Sequence, residues 1–240
     1  IVLLVFPSNL STASLLFIMV FILSFIAGYP IRYLINIIGI GFVSILLFFL
    51  LINIFPGIFS NRVDTWINRI ENFTSGKSAD GNYQVARAKT AIVTGKIFGL
   101  GAGKSRMKNF LPQSSSDFIY AIIVEEYGLL GGVGLIVIYI LLLFRIVVIS
   151  YKTVDIFGKL TVIGLGVPVI LQAFTNIGVA LQVLPVTGQN LPMISSGGTS
   201  AWMTCISMGI ILSISAGRKV EKEENHSDEN NPLSILSETY

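Results

Sequence analysis

The chain has 240 residues, of which 53% are hydrophobic and 12% are charged, and its mean hydropathy is +0.78. Soluble domains carry about a quarter charged residues, so this composition excludes an ordinary soluble protein and indicates a membrane protein. The net charge of +3 says little about partners, although most charges lie in residues 61–117 and 217–238. A single cysteine, Cys205, excludes an intrachain disulfide and a cysteine metal cluster.

Five apolar runs are long enough to cross a membrane, since a spanning helix needs about 20 predominantly apolar residues. The segment 118–128 is apolar except for Glu125 and Glu126 and is predicted to lead into the third run. The chain begins within apolar sequence, Ile1–Phe6, which we interpret as the remainder of an earlier span. The sequence therefore predicts an all-α polytopic membrane protein with about five transmembrane helices, at residues 10–27, 32–55, 129–150, 158–181 and 198–216.

Polar segments divide the chain further. Membrane helices are predicted at residues 1–56 and 118–216, a large loop at 57–117, and a disordered tail at 217–240, because the tail is charged and lacks apolar periodicity. Short loops rich in Lys and Arg face the cytoplasm. Three short basic segments fall on one side of the predicted membrane. The first contains Arg32, the second Arg145, Lys152 and Lys159, and the third Arg218, Lys219 and Lys222. This side is therefore predicted to be cytoplasmic, which places the large loop outside and the C-terminus inside.

The large loop is basic, with nine Lys or Arg between residues 56 and 117 against four Asp or Glu. A structureless loop of this length is unusual in a folded protein, so a function is indicated. Helical spacing predicts two short helices within it. Thr65–Phe73 carries its apolar residues on one face and is predicted to lie at the membrane interface. Val85–Val93 is predicted to project Arg87 and Lys89.

A glycine-rich stretch follows, and residues 99–105 read Gly-Leu-Gly-Ala-Gly-Lys-Ser. It is not a P-loop, because three residues separate Gly99 from Gly103 where the motif needs four. Its backbone amides, with Lys104 and Ser105, form a candidate phosphate cradle, and Lys108 continues the basic stretch. A flexible outer turn is the alternative.

Asp117 closes the loop directly before the chain becomes apolar. Asp and Ser are preferred N-caps, and three serines at 114–116 precede Asp117, so helix capping is the first interpretation. The alternative is a general base at the membrane surface. Two features favour it: no other acidic residue lies between Asp80 and Glu125, and the preceding cations suit an anionic substrate.

Polar residues also occur inside the apolar stretches. Glu125 and Glu126 are ionisable groups in apolar sequence, which are costly and therefore functional by default, and an orienting role is predicted for them. Snorkelling toward the headgroups is the alternative. Gln172, Thr175 and Asn176 share one face of a span and are predicted to form hydrogen bonds between helices.

The last outer loop, residues 182–197, contains two prolines, which forbid a continuous helix. Residues 195–198 read Ser-Ser-Gly-Gly and open the final span with a bare helix N-terminus, whose N–H groups favour an anion. Close helix packing through glycine is the alternative. The candidate substrate-binding residues of this loop are Ser195, Gly197 and Gly198.

Motifs in three stretches carry a resemblance to a known family. The first stretch contains Tyr83-Gln84, Ala91-Ile92, Leu111-Pro112, Asp117-Phe118-Ile119-Tyr120 and Glu125-Glu126-Tyr127-Gly128. The second contains residues 184–188, 191–192 and 195–200, and the third is Pro7–Ala13. The family that they resemble is that of the SEDS proteins (shape, elongation, division, sporulation) of the FtsW/RodA type. The first stretch is similar to the family's large extracytoplasmic loop, the second is similar to its C-terminal signature, and the third is similar to an earlier element of the family. The chain departs from the family where Gly95-Lys96 replaces Gly-Gly, and where Ser8-Asn9 lacks a carboxylate.

The resemblance implies a fold of ten spans, of which this chain would be the C-terminal half. It implies a peptidoglycan glycosyltransferase of the bacterial cytoplasmic membrane that polymerises lipid II on the outer side, during division or elongation. The family's essential loop aspartate falls on Asp117. That residue would take the proton of the acceptor's GlcNAc 4-hydroxyl as its oxygen attacks the donor's anomeric carbon, and undecaprenyl pyrophosphate would leave.

The implied partners are lipid II, undecaprenyl-linked glycan, a class B penicillin-binding protein and other division or elongation proteins, with no nucleic acid. The sequence requires no cofactor and indicates no metal ligands, and Mg²⁺ or Mn²⁺ is a candidate at the pyrophosphate. A transporter of lipid-linked precursors and a non-catalytic division scaffold stay open as alternatives. The predicted substrate-binding residues are Arg87, Lys89, Lys104, Ser105, Lys108, Ser195, Gly197 and Gly198, with Glu125 and Glu126 as orienting residues.

Overall fold

The computed structural model describes residues 2–6, 9–54, 79–111 and 114–229. The regular structure in these ranges is entirely helical, so the predicted all-α fold is confirmed for them. The α-helices are α1 (Val2–Val5), α2 (Leu10–Ile26), α3 (Ile31–Ile54), α4 (Ala79–Gly95), α5 (Ile119–Lys152), α6 (Ile156–Ala180) and α7 (Gly198–Glu229). A short 3-10 helix, Met107–Asn109, lies between α4 and α5.

Each predicted span corresponds to one of these helices. Among the described residues, α5, α6 and Gly198–Gly217 of α7 are long and apolar enough to cross a membrane. The apolar helices Leu10–Ile26 and Ile31–Leu47 are shorter, so the count of five spans stays a prediction. Helix α4 contains the predicted Val85–Val93 and extends it at both ends. The predicted interfacial helix Thr65–Phe73 lies outside the described residues.

The C-terminal tail begins within the last helix. A disordered segment is predicted from residue 217, whereas α7 continues to Glu229; disorder of the tail stays a prediction. Lys, Arg and Glu have high helix propensity, and residues 218–224 are almost entirely of these types. A helix can therefore continue without an apolar face to bury. Residues 230–240 lie outside the described part of the chain.

Helix α6 has well-defined ends. Asp155 caps its start, accepting a hydrogen bond from the Gly158 N–H at 2.9 Å. At its other end Gln182 adopts a positive φ of 60°, and the N–H of Val183 donates to the Gly178 carbonyl at 2.8 Å. This is a Schellman-type end, and it turns the chain sharply into the loop that leads to α7.

The apolar core lies between α5 and α6. It includes Val124 and Tyr139 of α5, Val162 and Ile170 of α6, and Ile211 of α7. Helices α2 and α7 pack against α6. Large apolar side chains cover the outer faces of the helices, as a lipid environment requires of spanning helices.

Four helix ends meet on one side of the bundle. The Gln189 amide, after α6, donates to the Thr12 hydroxyl near the start of α2 at 3.3 Å. The N–H of Ser196, before α7, donates to the carbonyl of Ser115, before α5, at 2.9 Å. The starts of α2, α5 and α7 and the end of α6 therefore share one side, and polar loop segments are concentrated there.

Helix α5 is interrupted at Gly128, whose φ of 71° and ψ of −171° are not helical. An interruption leaves carbonyls before it and N–H groups after it without partners in the helix. The glycine turn, residues 95–103, supplies those partners. Leu100 and Gly101 donate their N–H groups to the carbonyls of Glu125 and Glu126, both at 2.9 Å, and Leu129 and Leu130 donate to Lys96 and Ile97, at 2.8 and 3.3 Å.

These hydrogen bonds bring the backbone of the glycine turn into direct contact with the backbone of α5. Only glycine allows so close an approach, because it has no Cβ atom. A Cβ atom added to Gly95, Gly99 or Gly128 would lie 2.0, 2.1 or 2.2 Å from a backbone carbonyl oxygen of the opposite segment. Gly99 and Gly128 also have positive φ values, of 79° and 71°. Any larger residue would push the glycine turn away from α5.

We expect Gly128→Ala to lower the free energy of unfolding by more than about 2 kcal/mol, because a positive φ is unfavourable for alanine and the added methyl group clashes with the Ile97 carbonyl. Thermal unfolding of the purified protein in detergent micelles measures the effect. Gly134→Ala is the matched control, since nothing lies within 4 Å of a Cβ atom there. Equal melting temperatures for the two variants would contradict the role given to Gly128.

Candidate active site

Asp117 lies at the end of the turn before α5 and does not cap that helix. The N-cap of α5 is Phe118, and no side chain forms a capping hydrogen bond there. The carboxylate of Asp117 instead accepts a hydrogen bond on Oδ1 from the Ser116 hydroxyl at 3.0 Å. The structure thus contradicts helix capping as the interpretation of this residue.

The backbone around Asp117 is held by three side chains from the C-terminal third of the chain, which we call the carbonyl clamp: Asn176, Ser195 and Ser196. Each donates to one of three consecutive carbonyls. The Ser196 hydroxyl reaches Ser115 O at 3.0 Å, the Ser195 hydroxyl reaches Ser116 O at 2.6 Å, and the Asn176 amide reaches Asp117 O at 2.8 Å. The clamp joins two motifs that are about 80 residues apart in sequence.

The clamp changes the interpretation of Ser195. Its single hydroxyl proton is donated to Ser116 O, and its oxygen accepts from the Leu191 N–H at 2.7 Å. It has no proton left for a phosphate oxygen, so we assign it to the support of the loop. Gly197 packs closely, since an added Cβ atom would lie 2.6 Å from Nδ2 of Asn190, while a Cβ atom on Gly198 would meet nothing within 4 Å.

Gly188 faces the second oxygen of the carboxylate. A Cβ atom added to Gly188 would lie 3.6 Å from Oδ2 of Asp117, and Gly188 has a positive φ of 68°. Because glycine has no side chain, it leaves this oxygen uncovered on that side. The residue that follows Asp117, Phe118, is only 1% exposed. It packs in an apolar cluster with Ala88 of α4 and Val179 of α6 and thereby anchors the chain directly after Asp117.

Glu125 is completely buried, with 0% exposure, and binds the basic turn, residues 104–108. The Ser105 hydroxyl donates to Oε2 at 2.5 Å, and the N–H groups of Arg106 and Met107 donate to Oε1 at 3.1 and 3.3 Å. A buried carboxylate needs such donors, because no water reaches it. The contacts hold the basic turn against α5, which is the geometry of a positioning residue.

The glycine turn uses several of its predicted phosphate-binding groups within the fold. The N–H of Gly99 donates to Gly95 O at 2.7 Å and that of Lys104 to Gly101 O at 3.1 Å, and those of Leu100 and Gly101 bind the carbonyls of α5. The Ser105 hydroxyl donates to Glu125. The fold thus uses these four amides and the Ser105 hydroxyl, and a phosphate site at the remaining groups of the turn stays a prediction.

The predicted cationic residues differ in their surroundings. Lys89, Lys104 and Lys108 are exposed. Arg87 is half-buried, and its guanidinium carbon lies 5.0 Å from the ring centre of Tyr83 and 5.7 Å from that of Phe110. These cation–π contacts orient Arg87 and tie α4 to the segment that precedes the serine run.

Asn176 is a site residue that was not among those predicted from the sequence. It shares a helix face with Gln172 and Thr175, a pattern typical of contacts between helices. Its partners are carbonyls of two loops, and no local signal identifies them. Its position near the end of a predicted span was the one available hint, since side chains there lie at the depth of the loops.

The comparisons with known proteins agree with this architecture. The sequence profile of the FtsW/RodA/SpoVE cell cycle proteins matches residues 1–220. The chain belongs to this family. The resemblance to SEDS proteins is therefore confirmed, and the match includes the clamp, the glycine turn and the basic turn.

Two curated relatives illustrate the relationship. The probable peptidoglycan glycosyltransferase FtsW of Xanthomonas oryzae pv. oryzae is 38% identical over 157 residues, covering 64% of this chain and 30% of that protein. The stage V sporulation protein E of Bacillus subtilis is 33% identical over 155 residues, covering 64% of this chain and 41% of that protein. The chain thus spans less than half the length of these two relatives.

Two solved structures share the fold. A chain of a peptidoglycan synthase complex that coordinates polymerization and crosslinking has a TM-score of 0.65 and 25% identity, covering 90% of this chain and 58% of that one. The rod shape determining protein RodA of Thermus thermophilus has a TM-score of 0.56 and 24% identity, covering 90% of this chain and 53% of that one. The helical arrangement of this family member is thus that of SEDS membrane proteins.

We expect Glu125→Gln to loosen the basic turn, because a neutral amide oxygen accepts more weakly than a carboxylate from the N–H groups of Arg106 and Met107, and the NH₂ group cannot accept from Ser105. Hydrogen exchange at these two amides should accelerate roughly tenfold to hundredfold, as expected for loss of hydrogen bonds to a charged group. Glu126→Gln is the control, since Glu126 is bound through its backbone carbonyl. Unchanged exchange in Glu125→Gln would show that the carboxylate does not hold the turn.

Proposed function

We propose that this chain forms the catalytic region of a peptidoglycan glycosyltransferase that polymerises lipid II, with Asp117 as the general base. The acceptor's GlcNAc 4-hydroxyl gives its proton to the Asp117 carboxylate while its oxygen bonds to the donor's anomeric carbon. The bond from that carbon to the pyrophosphate oxygen breaks, and undecaprenyl pyrophosphate leaves with the electron pair. A positioned base contributes about 10²–10⁴-fold to such a rate.

The proposal rests on how the backbone of Asp117 is held and on what its carboxylate contacts. The fold immobilises its backbone through the clamp but does not use its carboxylate to cap α5. Ser116 binds Oδ1, and Gly188 places no side chain over Oδ2 on its side of the carboxylate. A carboxylate on a supported backbone that does not cap its helix suits proton transfer, because a base must be held at a fixed distance from its substrate.

The leaving group carries negative charge that must be stabilised. We assign this role to Arg87, Lys89, Lys104 and Lys108, since Ser105 and Ser195 donate their hydroxyl protons within the fold. Among the described residues, no group of three or more His, Cys, Asp or Glu is arranged to hold a metal ion. A divalent cation such as Mg²⁺ or Mn²⁺ would supply further charge stabilisation by binding the pyrophosphate itself.

The cellular setting follows from the same assignment. The chain is proposed to lie in the bacterial cytoplasmic membrane, with the Asp117 side outside and the end of α7 inside, because the short basic loops lie on the opposite side from Asp117. A class B penicillin-binding protein is the proposed partner. The structural relative from a peptidoglycan synthase complex supports this partnership.

We expect Asp117→Asn to reduce polymerisation of purified lipid II at least about 100-fold, because asparagine has nearly the same shape but cannot accept the proton. Glycan chain formation is measured with the native protein in lipid vesicles together with its transpeptidase partner. Asp155→Asn is the matched control, since Asp155 caps α6 on the other side of the bundle and asparagine also caps helices.

The outcome distinguishes the proposed enzyme from the alternatives. Full polymerisation by a folded Asp117→Asn protein would eliminate the base assignment. Movement of lipid II across the vesicle membrane without polymerisation by the unmodified protein would favour a transporter. Absence of both activities, with intact binding to division proteins, would favour a scaffold.

We expect Lys104→Gln and Lys108→Gln each to raise the KM for lipid II roughly twofold to fivefold, because an exposed charge contributes less than about 1 kcal/mol to binding. Steady-state polymerisation kinetics measure the change. Lys152→Gln, at the end of α5 away from Asp117, is the control and should leave KM unchanged. Identical KM values for all three variants would remove the basic turn from the binding site.

A further inference from the structure

Asn176 joins two loops that are far apart in sequence. It lies near the end of α6 and is 1% exposed. Its Nδ2 donates to the backbone oxygen of Asp117 at 2.8 Å and to that of Gln189 at 2.6 Å. We infer that Asn176 is a positioning residue for Asp117, an inference that rests on the proposed function.

The chemistry of the site selects asparagine. Both partners of the side chain are carbonyl oxygens, which can only accept hydrogen bonds, so the NH₂ group must face them. Serine would offer one proton, and an ionised aspartate would offer none. The Oδ1 atom of Asn176 is buried and has no hydrogen-bond partner among the described residues, so the two donated bonds orient the side chain.

The geometry shows how Asn176 acts on Asp117. The Ser116 carbonyl belongs to the peptide group before the Asp117 Cα atom, and the Asp117 carbonyl belongs to the peptide group after it. Ser195 holds the first group and Asn176 holds the second. Because peptide groups are planar, fixing both restricts the φ and ψ angles of Asp117 and hence the direction of its Cα–Cβ bond, while Ser116 binds the carboxylate itself.

The same contacts determine what stands opposite the carboxylate. Gln189, the second partner of Asn176, directly follows Gly188, which faces Oδ2 of Asp117. One amide group thus sets the distance between the carboxylate and the loop in front of it. Loss of this amide frees both segments at once and lets the carboxylate move relative to its substrate.

We expect Asn176→Ala to lower the kcat of lipid II polymerisation roughly tenfold to hundredfold and to leave KM unchanged, because a displacement of about 1 Å costs that much in rate without removing a binding contact. Kinetics of the native protein in vesicles, with its partner, measure both constants. Thr175→Val is the matched control, since the Thr175 hydroxyl binds Leu171 O of its own helix at 2.7 Å. A rise in KM with kcat unchanged would overturn the inference.

A double variant separates this inference from the proposed function. If Asn176 acts through Asp117, adding Asn176→Ala to Asp117→Asn causes little further loss, because the base is already absent. An equal fractional loss in both backgrounds would overturn the inference and leave the proposed function standing. Normal activity of Asp117→Asn would overturn the proposed function, and the inference with it.

Ser195→Ala provides a second route to the same answer where Asn176→Ala does not accumulate as a folded protein. It frees the peptide group before Asp117 and keeps the Asn176 contacts. The same fall in kcat at constant KM is expected. An unchanged kcat for folded Ser195→Ala would overturn the two-sided support of Asp117.

Discussion

The interruption of α5 at Gly128 is the constraint on which the site depends. Backbone groups near the apolar part of a membrane must find partners within the protein, since no water is available to them. The glycine turn satisfies those groups on both sides of the interruption, and it can do so only because glycines permit backbone contact. The residues before the interruption form a short rigid segment that carries Asp117 at its start and Glu125 near its end. The polar loop is thereby attached to the membrane helices.

Two supports act on this short segment from different directions. The clamp fixes the backbone of residues 115–117 from the C-terminal loop and α6. Glu125 binds the basic turn on the side of α4 and the 3-10 helix. The apolar cluster that contains Phe118 and Leu111 includes residues of the same segment and of α4 and α6. The carboxylate and the cations are therefore attached to the same piece of helix, although they come from different parts of the loop.

The sequence predicted features that depend on local composition. Apolar length located the helices of the spans, and helical spacing located α4. The partner of the glycine turn could not be predicted, because it is set by contacts across about 30 residues, and the roles of Ser195 and Asn176 depend on contacts across 59 residues or more. Lys96 shows the same limit: its φ of 49° lies in the left-handed region that favours glycine, and no local signal in the sequence predicts this backbone conformation.

Glu125 anchors the basic turn without using a lysine side chain. Its carboxylate accepts from a hydroxyl and two backbone N–H groups of the turn. Lys104 and Lys108 of the same turn are exposed, and neither ammonium group takes part in these anchoring bonds. A turn ordered by lysine–glutamate pairs would have to break those pairs before an anion could bind the ammonium groups. In this turn the order of the backbone and the binding of an anion by the lysines do not compete.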